Sequence, residues 1–135
     1  MTLAPPMLVV LDTNVLVSAL WSRDGDPAKI LSLVLNGLLT PCHDHRILAE
    51  YHNVLNRPKF GFPAWAVTDL LEFIAESGLS VTPPPLPLAS AYEADQKFYE
   101  VARHCQAWLI TGNLKHYPKD ELVLTVREAL AKITG

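Results

Sequence analysis

The sequence predicts an α/β domain of three layers, with helices on both faces of a mainly parallel sheet of about five strands. Three observations predict it. Short apolar runs, the strongest of them continuous, recur along the chain and suit strands buried on both faces of a sheet. Apolar stripes at helical spacing separate these runs. Two of the strongest runs end directly on polar triplets, Asp12-Thr13-Asn14 and Thr111-Gly112-Asn113. Open parallel sheets bind their ligands at that edge, beyond the carboxyl ends of the strands.

The elements follow in order. Met-Leu-Val-Val-Leu at 7–11 is the first strand. Ile30, Leu31, Val34 and Leu35 mark a helix, and Pro27 suits its first turn. Leu38-Leu39-Thr40-Pro41-Cys42 is a weaker strand. Ile47, Leu48, Tyr51, Val54 and Leu55 mark a helix that ends before Pro58. Val67, Leu70, Leu71 and Ile74 mark the next, with Gly78 as its stop. Residues 79–82 form another weak strand. Pro83-Pro84-Pro85-Leu86-Pro87 has fixed φ and few backbone donors, so it reads as an extended connector inside one domain. Ala94, Phe98, Val101, Ala102 and Cys105 mark a helix. Trp108-Leu109-Ile110 and Leu122-Val123-Leu124 are strands, and a last helix closes the chain.

Composition narrows the function. With 135 residues, 50% of them hydrophobic and 19% charged, the chain can bury one core and is not a disordered polymer. No apolar run is long enough to span a membrane. Residues 1–6 carry no basic side chain and Asp12 interrupts the apolar stretch that follows, so a cytoplasmic location is expected rather than secretion. The formal charge of −3 excludes a general basic coating of nucleic acid, and any such binding must be local or metal-assisted. Cys42 and Cys105 are far apart in sequence and form no CxxC, so they read as two buried thiols in a reducing compartment.

Four acids stand where chemistry could gather. Asp12 abuts five apolar residues; it is either an edge ligand or the N-cap of the next helix. Glu50 flanks the buried stripe of its helix, where a solvated role is the ordinary account. Asp95, with Glu93 close by, lies at a helix start, where the helix dipole alone would favour an acid. Converging carboxylates repel and raise one another's pKa, so a fold keeps such a cluster mainly when a cation neutralises it. Oxygen ligands without Cys or His pairs favour Mg²⁺ or Mn²⁺ over zinc. His43 and His45 are poorly spaced for a zinc pair, and His52, His104 and His116 have no partners at ligand spacing. Trp21, Trp65 and Trp108 read as core or partner-facing rather than as platforms for bases.

These residues carry a resemblance. Leu11-Asp12-Thr13-Asn14-Val15-Leu16-Val17-Ser18-Ala19 after the first strand, Ile47-Leu48-Ala49-Glu50-Tyr51, Asp95-Gln96-Lys97-Phe98-Tyr99-Glu100-Val101-Ala102 and Leu109-Ile110-Thr111-Gly112-Asn113 occur in the order and spacing of the PIN-domain superfamily. The chain resembles its bacterial branch of toxin components (VapC-like ribonucleases). The resemblance implies a single domain over residues 1–135, a parallel sheet covered on both faces, and a Mg²⁺- or Mn²⁺-dependent endoribonuclease. It implies that Asp12, Glu50 and Asp95 are the metal ligands, with Thr111, Asn14 and Glu93 in support. Asn113 stands where many relatives have a fourth Asp, and Tyr92 and Ala94 stand where acids are expected. Three carboxylates in place of four imply one tight metal and a weaker second. A small antitoxin and a homodimer are the implied protein partners.

On this reading Asp12 and Asp95 hold the ion directly, and Glu50 helps directly or through water. Lys115, His116, Lys119, Lys97 and Arg103 are candidates to line the RNA path. The rival reading is a catalytically weak or inactive scaffold that binds RNA or protein, with Trp21, Trp65, Phe60 and Phe62 as contacts. A metal-dependent phosphatase would need DxDxT after its first strand, and this chain has Asp12-Thr13-Asn14.

Overall fold

Five parallel strands form one sheet in the order β3-β2-β1-β4-β5, and six α-helices flank it in a three-layer α/β/α arrangement. The computed structural model describes residues 7–87 and 92–134, so the expectation drawn from residues 1–6 lies outside the described residues. The strands are β1 (Met7–Leu11), β2 (Leu39–His43), β3 (Leu79–Ser80), β4 (Trp108–Ile110) and β5 (Val123–Leu124). The helices are α1 (Thr13–Trp21), α2 (Asp26–Leu35), α3 (His45–Leu55), α4 (Ala64–Ser77), α5 (Gln96–Cys105) and α6 (Val126–Thr134). Short 3₁₀ turns lie at Pro58–Phe60, Glu93–Asp95 and Leu114–His116.

Why β1 is central follows from its sequence. Val9, Val10 and Leu11 are at most 1% exposed. A strand covered on both faces can place apolar side chains at consecutive positions. Its neighbours β2 and β4 contribute Leu39, Leu109 and Ile110 to the same core. Each fully buried side chain of this size contributes about 1.5–3 kcal/mol. Most of the helical stripes bury as their spacing predicts: Ile30, Leu31 and Val34 of α2, Ile47, Tyr51 and Leu55 of α3, Val67, Leu70 and Ile74 of α4, and Phe98, Val101 and Ala102 of α5, whereas Leu35 at the end of α2 is exposed.

Some boundaries move. β3 and β5 pair for two residues each, shorter than the apolar runs that contain them. Ala94 belongs to the 3₁₀ turn ahead of α5, because the α-helix starts only at Gln96. His43 and His45 do not share a helix: His43 ends β2, buried against the Ile74 carbonyl, and His45 opens α3. Gly78, which ends α4, is required by close approach. A Cβ there would meet the Pro41 carbonyl oxygen at 2.3 Å and the Ile74 oxygen at 2.6 Å. The two cysteines, distant in sequence, meet in side-chain contact, with Cys42 buried and Cys105 only half-buried. Burial pushes the Cys42 thiol up to about 12. Trp21 and Trp65 are exposed. Among the described residues no helix is long and apolar enough to cross a membrane.

Candidate functional site

β1 and β4 run side by side with Leu11 opposite Ile110, so the next residues, Asp12 and Thr111, leave the sheet together. The Asp12 amide donates to the Ile110 carbonyl at 3.0 Å, which holds this junction closed. Asp12 occupies the N-cap position of α1, yet its side chain makes no capping bond. Thr111 Oγ1 and Tyr117 Oη instead donate to Asp12 Oδ2, at 2.8 and 2.9 Å. Both donors converge on one oxygen, and among the described residues none bonds to Oδ1. The helix-cap account therefore fails for this side chain, although the backbone position is the one it expected.

Electrostatics brings the other two acids to the same place. Burial pushes the Asp12 carboxyl above its ordinary value, the bonds from Thr111 and Tyr117 oppose this, and the nearby charges of Asp95 and Glu50 push it further up. Tyr117 responds to the same field. Burial and the charges of Asp12, Asp95 and Glu50 drive its hydroxyl far above the usual phenol range, so it remains a donor. Glu50 of α3 and Asp95 of the turn before α5 are thus within electrostatic reach of Asp12, which follows β1.

Each of the outer two acids is held by a cation or potential cation. Glu50 projects from the middle of α3, accepts from the Thr13 hydroxyl, and pairs with Lys97 Nζ at 2.8 Å. Lys97 also donates to the Ala94 carbonyl, so its ammonium ties Glu50 to the turn that carries Asp95. Asp95 Oδ2 meets His116 Nδ1 at 2.7 Å, and the Tyr92 ring lies against the same imidazole with centroids 3.9 Å apart. Two residues predicted for an RNA path, Lys97 and His116, therefore partner the acids. Among the described residues no group of three His, Cys, Asp or Glu side chains is placed to hold a metal ion.

The remaining predicted residues surround this centre. Thr111 also accepts the Asn113 amide at 2.9 Å, so one hydroxyl joins Asp12 to the chain after β4. Asn113 enters the network through its backbone; the residue is exposed and lines a small pocket with Asn14, Gly112 and Pro27. Asn14 Oδ1 accepts the Gly112 amide at 3.0 Å. Glu93 is exposed near Asp95. Lys115 and Lys119 are exposed, and Arg103 pairs with Asp120 at 2.8 Å.

Two features escaped the sequence. Tyr117, six residues beyond Thr111, carried no motif that distinguishes it from a core tyrosine. Glu100, only 4% exposed, takes Arg46 at 2.8 Å on one oxygen and the Leu86 amide at 2.7 Å on the other. Arg46 also bonds Asp44, the side-chain cap of α3. A charged residue in an otherwise apolar stripe, at 98–102, was the available signal for Glu100. Between α3 and α5 lies a groove of about 1010 Å³ lined by Glu50, Asn53, Arg57, Glu93, Lys97 and others.

Residues 8–115 match the family described as PIN domain. The chain belongs to the PIN domain family. No curated protein matches it. PIN domains are as a rule nucleases and generally use divalent metal ions. The donor chemistry fits such an ion. Asp12, Glu50 and Asp95 offer only hard oxygens, the donor type such an ion prefers.

Proposed function

We propose that this PIN domain is a Mg²⁺- or Mn²⁺-dependent endoribonuclease and the toxin component of a toxin–antitoxin pair. The observation that supports it best is the shared field of Asp12, Glu50 and Asp95 at the carboxyl edge of β1 and β4. Asp12 and Asp95 would hold the ion directly, with Glu50 beside them. When bound, such an ion polarises a phosphoryl oxygen and acidifies water.

The chain's own residues prepare that edge. Thr111 and Tyr117 fix Asp12 through Oδ2 and leave Oδ1 to face a ligand. Thr13 orients Glu50, and His116 orients Asp95. Lys97 offsets the charge of Glu50 while no other cation is near. Asn14 and Asn113 shape the adjacent loop, and Glu93 adds negative charge to the lining of the groove. Asn113 brings no charge where a fourth Asp is expected, so one ion would bind tightly and a second weakly.

The partner side of the proposal rests on an aromatic cluster in which Trp21 is exposed and Phe60 and Phe62 are half-buried. Trp21 meets Phe60 and Phe62 edge-on at 6.0 and 6.2 Å, and those two rings stack at 5.5 Å. Such a cluster suits contact with a small antitoxin or a second copy of the chain. The catalytic claim is tested by incubating the purified chain with RNA and Mn²⁺. Endonucleolytic products that vanish with chelator, and in Asp12→Asn, are the expected result. A folded protein that cuts no RNA under any metal would favour a binding scaffold instead. Co-purification with the product of a neighbouring gene tests the toxin role.

A further inference from the structure

Asp12 distributes its hydrogen bonds unlike Asp44, Glu50, Glu100 and Asp120. Each of those four engages both of its carboxylate oxygens. Asp44 takes the Ile47 amide on Oδ1 and Arg46 on Oδ2. Glu50 takes Lys97 on Oε1 and the Thr13 hydroxyl on Oε2. Glu100 takes Arg46 on Oε1 and the Leu86 amide on Oε2. Asp120 takes the Leu122 amide on Oδ1, with Tyr99 and Arg103 on Oδ2. Asp12 instead places both of its donors, Thr111 and Tyr117, on Oδ2.

A carboxylate oxygen has about two lone-pair directions, and two hydroxyls at 2.8 and 2.9 Å take both on Oδ2. Thr111 is fully buried and Tyr117 is 6% exposed, so neither hydroxyl turns to water instead. Oδ1 is not sealed with them. Among the described residues the buried side-chain atom left without a partner is His43 Nδ1, and Asp12 Oδ1 is not another. Glu50 keeps a donor on each oxygen, and Asp95 holds His116 on Oδ2. None of the three acids therefore presents two free oxygens to one ion.

We infer that Tyr117 and Thr111 are positioning residues that restrict Asp12 to ligation through one oxygen, and that they thereby set the site's preference for Mg²⁺ or Mn²⁺ over Ca²⁺. The inference rests on the metal-dependent reading of the site and adds to it what selects the ion. Small octahedral ions are satisfied by single carboxylate oxygens and water. Ca²⁺ gathers about six to eight oxygens in a looser sphere and takes carboxylates through one oxygen or both. An acid with Oδ2 already filled meets the first demand and withholds the extra oxygen that favours the second. Removing either hydroxyl opens a lone pair on Oδ2 and makes two-oxygen ligation available.

The test is calorimetric titration of the full chain with Mn²⁺ and, separately, with Ca²⁺, read as the ratio of the two affinities. The parent is compared with Tyr117→Phe, Thr111→Val, Thr111→Ser and Asp12→Asn. Tyr99→Phe is the control, because it removes a tyrosine–carboxylate bond of the same kind at Asp120. Each variant is titrated below its own melting temperature. Tyr117→Phe should weaken Mn²⁺ about tenfold, the scale on which an outer partner of a metal ligand acts, and Ca²⁺ much less, so the preference narrows at least about threefold. Thr111→Val should narrow it in the same sense, Thr111→Ser should restore the parent ratio, Tyr99→Phe should leave it unchanged, and Asp12→Asn should lose Mn²⁺. A merely structural role would lower both affinities together. An unchanged ratio in Tyr117→Phe and Thr111→Val, or an equal narrowing in Tyr99→Phe, would overturn the selectivity assignment while the metal-dependent reading stands. A parent that binds no Mn²⁺, or an Asp12→Asn variant that binds it at full strength, would overturn both.

Discussion

The hydroxyl of Thr111 donates to Asp12 Oδ2 at 2.8 Å, joining two residues that are 99 positions apart. The Thr111 hydroxyl oxygen in turn accepts the Asn113 amide. One small side chain thus fixes the acid at the end of β1 and the loop at the end of β4. Thr111→Val keeps the shape and removes both bonds. Asp12 then loses a donor in a buried setting, and the Asn113 amide loses its acceptor. The expected cost is about 1–3 kcal/mol in urea unfolding, with Thr111→Ser close to the parent. A Val variant as stable as the parent would show the bond to be idle.

Asp12 itself is a site where function opposes stability. Its folded pKa lies above the unfolded value, so the folded state binds the proton more tightly. The metal-free fold is accordingly weakened as pH rises through that value, and it recovers as pH falls back toward the ordinary carboxyl range. Asp12→Asn removes the charge while its amide oxygen can still accept from Thr111 and Tyr117. The metal-free variant should melt a few degrees above the parent near neutral pH, with the gap closing in acid. Thermal melts across pH, without divalent ions, read this directly.

Lys97 and Mn²⁺ should compete for Glu50. The ammonium is 2.8 Å from the carboxylate, and the two side chains are 14% and 26% exposed. Replacing it by Met leaves Glu50 and Asp12 with less compensation. Lys97→Met should bind Mn²⁺ several-fold more tightly in calorimetric titration and lose less than about 1 kcal/mol of metal-free stability. Unchanged or weaker Mn²⁺ binding would mean that Lys97 does not stand in the cation's way.

Glu100 ties the proline connector to the sheet's helical layer. Its carboxylate holds Arg46 and the Leu86 amide while 4% exposed. Glu100→Ala strands both donors and should cost on the order of 2–3 kcal/mol, since Arg46 is itself partly open to water. Hydrogen exchange should rise first at Leu86, the amide that loses its acceptor, before the core strands exchange.

The sequence made the layers legible because burial here is periodic. Continuous apolar runs could only be two-sided strands, and helical stripes had to cover them. Strand limits were not legible, because pairing in β3 and β5 stops where the chain leaves its neighbour rather than where hydropathy changes. Asp12 and Asp95 were legible as edge residues, since each sits where an element begins or ends. Glu50 was less legible: it flanks the buried stripe of its helix, but a helical Glu carries no local sign of what faces it. The partners of these acids were hidden for a different reason. The bonds Thr111–Asp12, Tyr117–Asp12, Lys97–Glu50 and His116–Asp95 all depend on how separate elements meet.

The most direct measurement is anomalous scattering from crystals soaked in Mn²⁺. The account predicts one strong peak bounded by carboxylate oxygens of Asp12 and Asp95, with Glu50 in the same coordination sphere or one water away, and Lys97 moved off Glu50. A fully soaked crystal with no peak among these three side chains, or with its strongest peak elsewhere on the molecule, would contradict it.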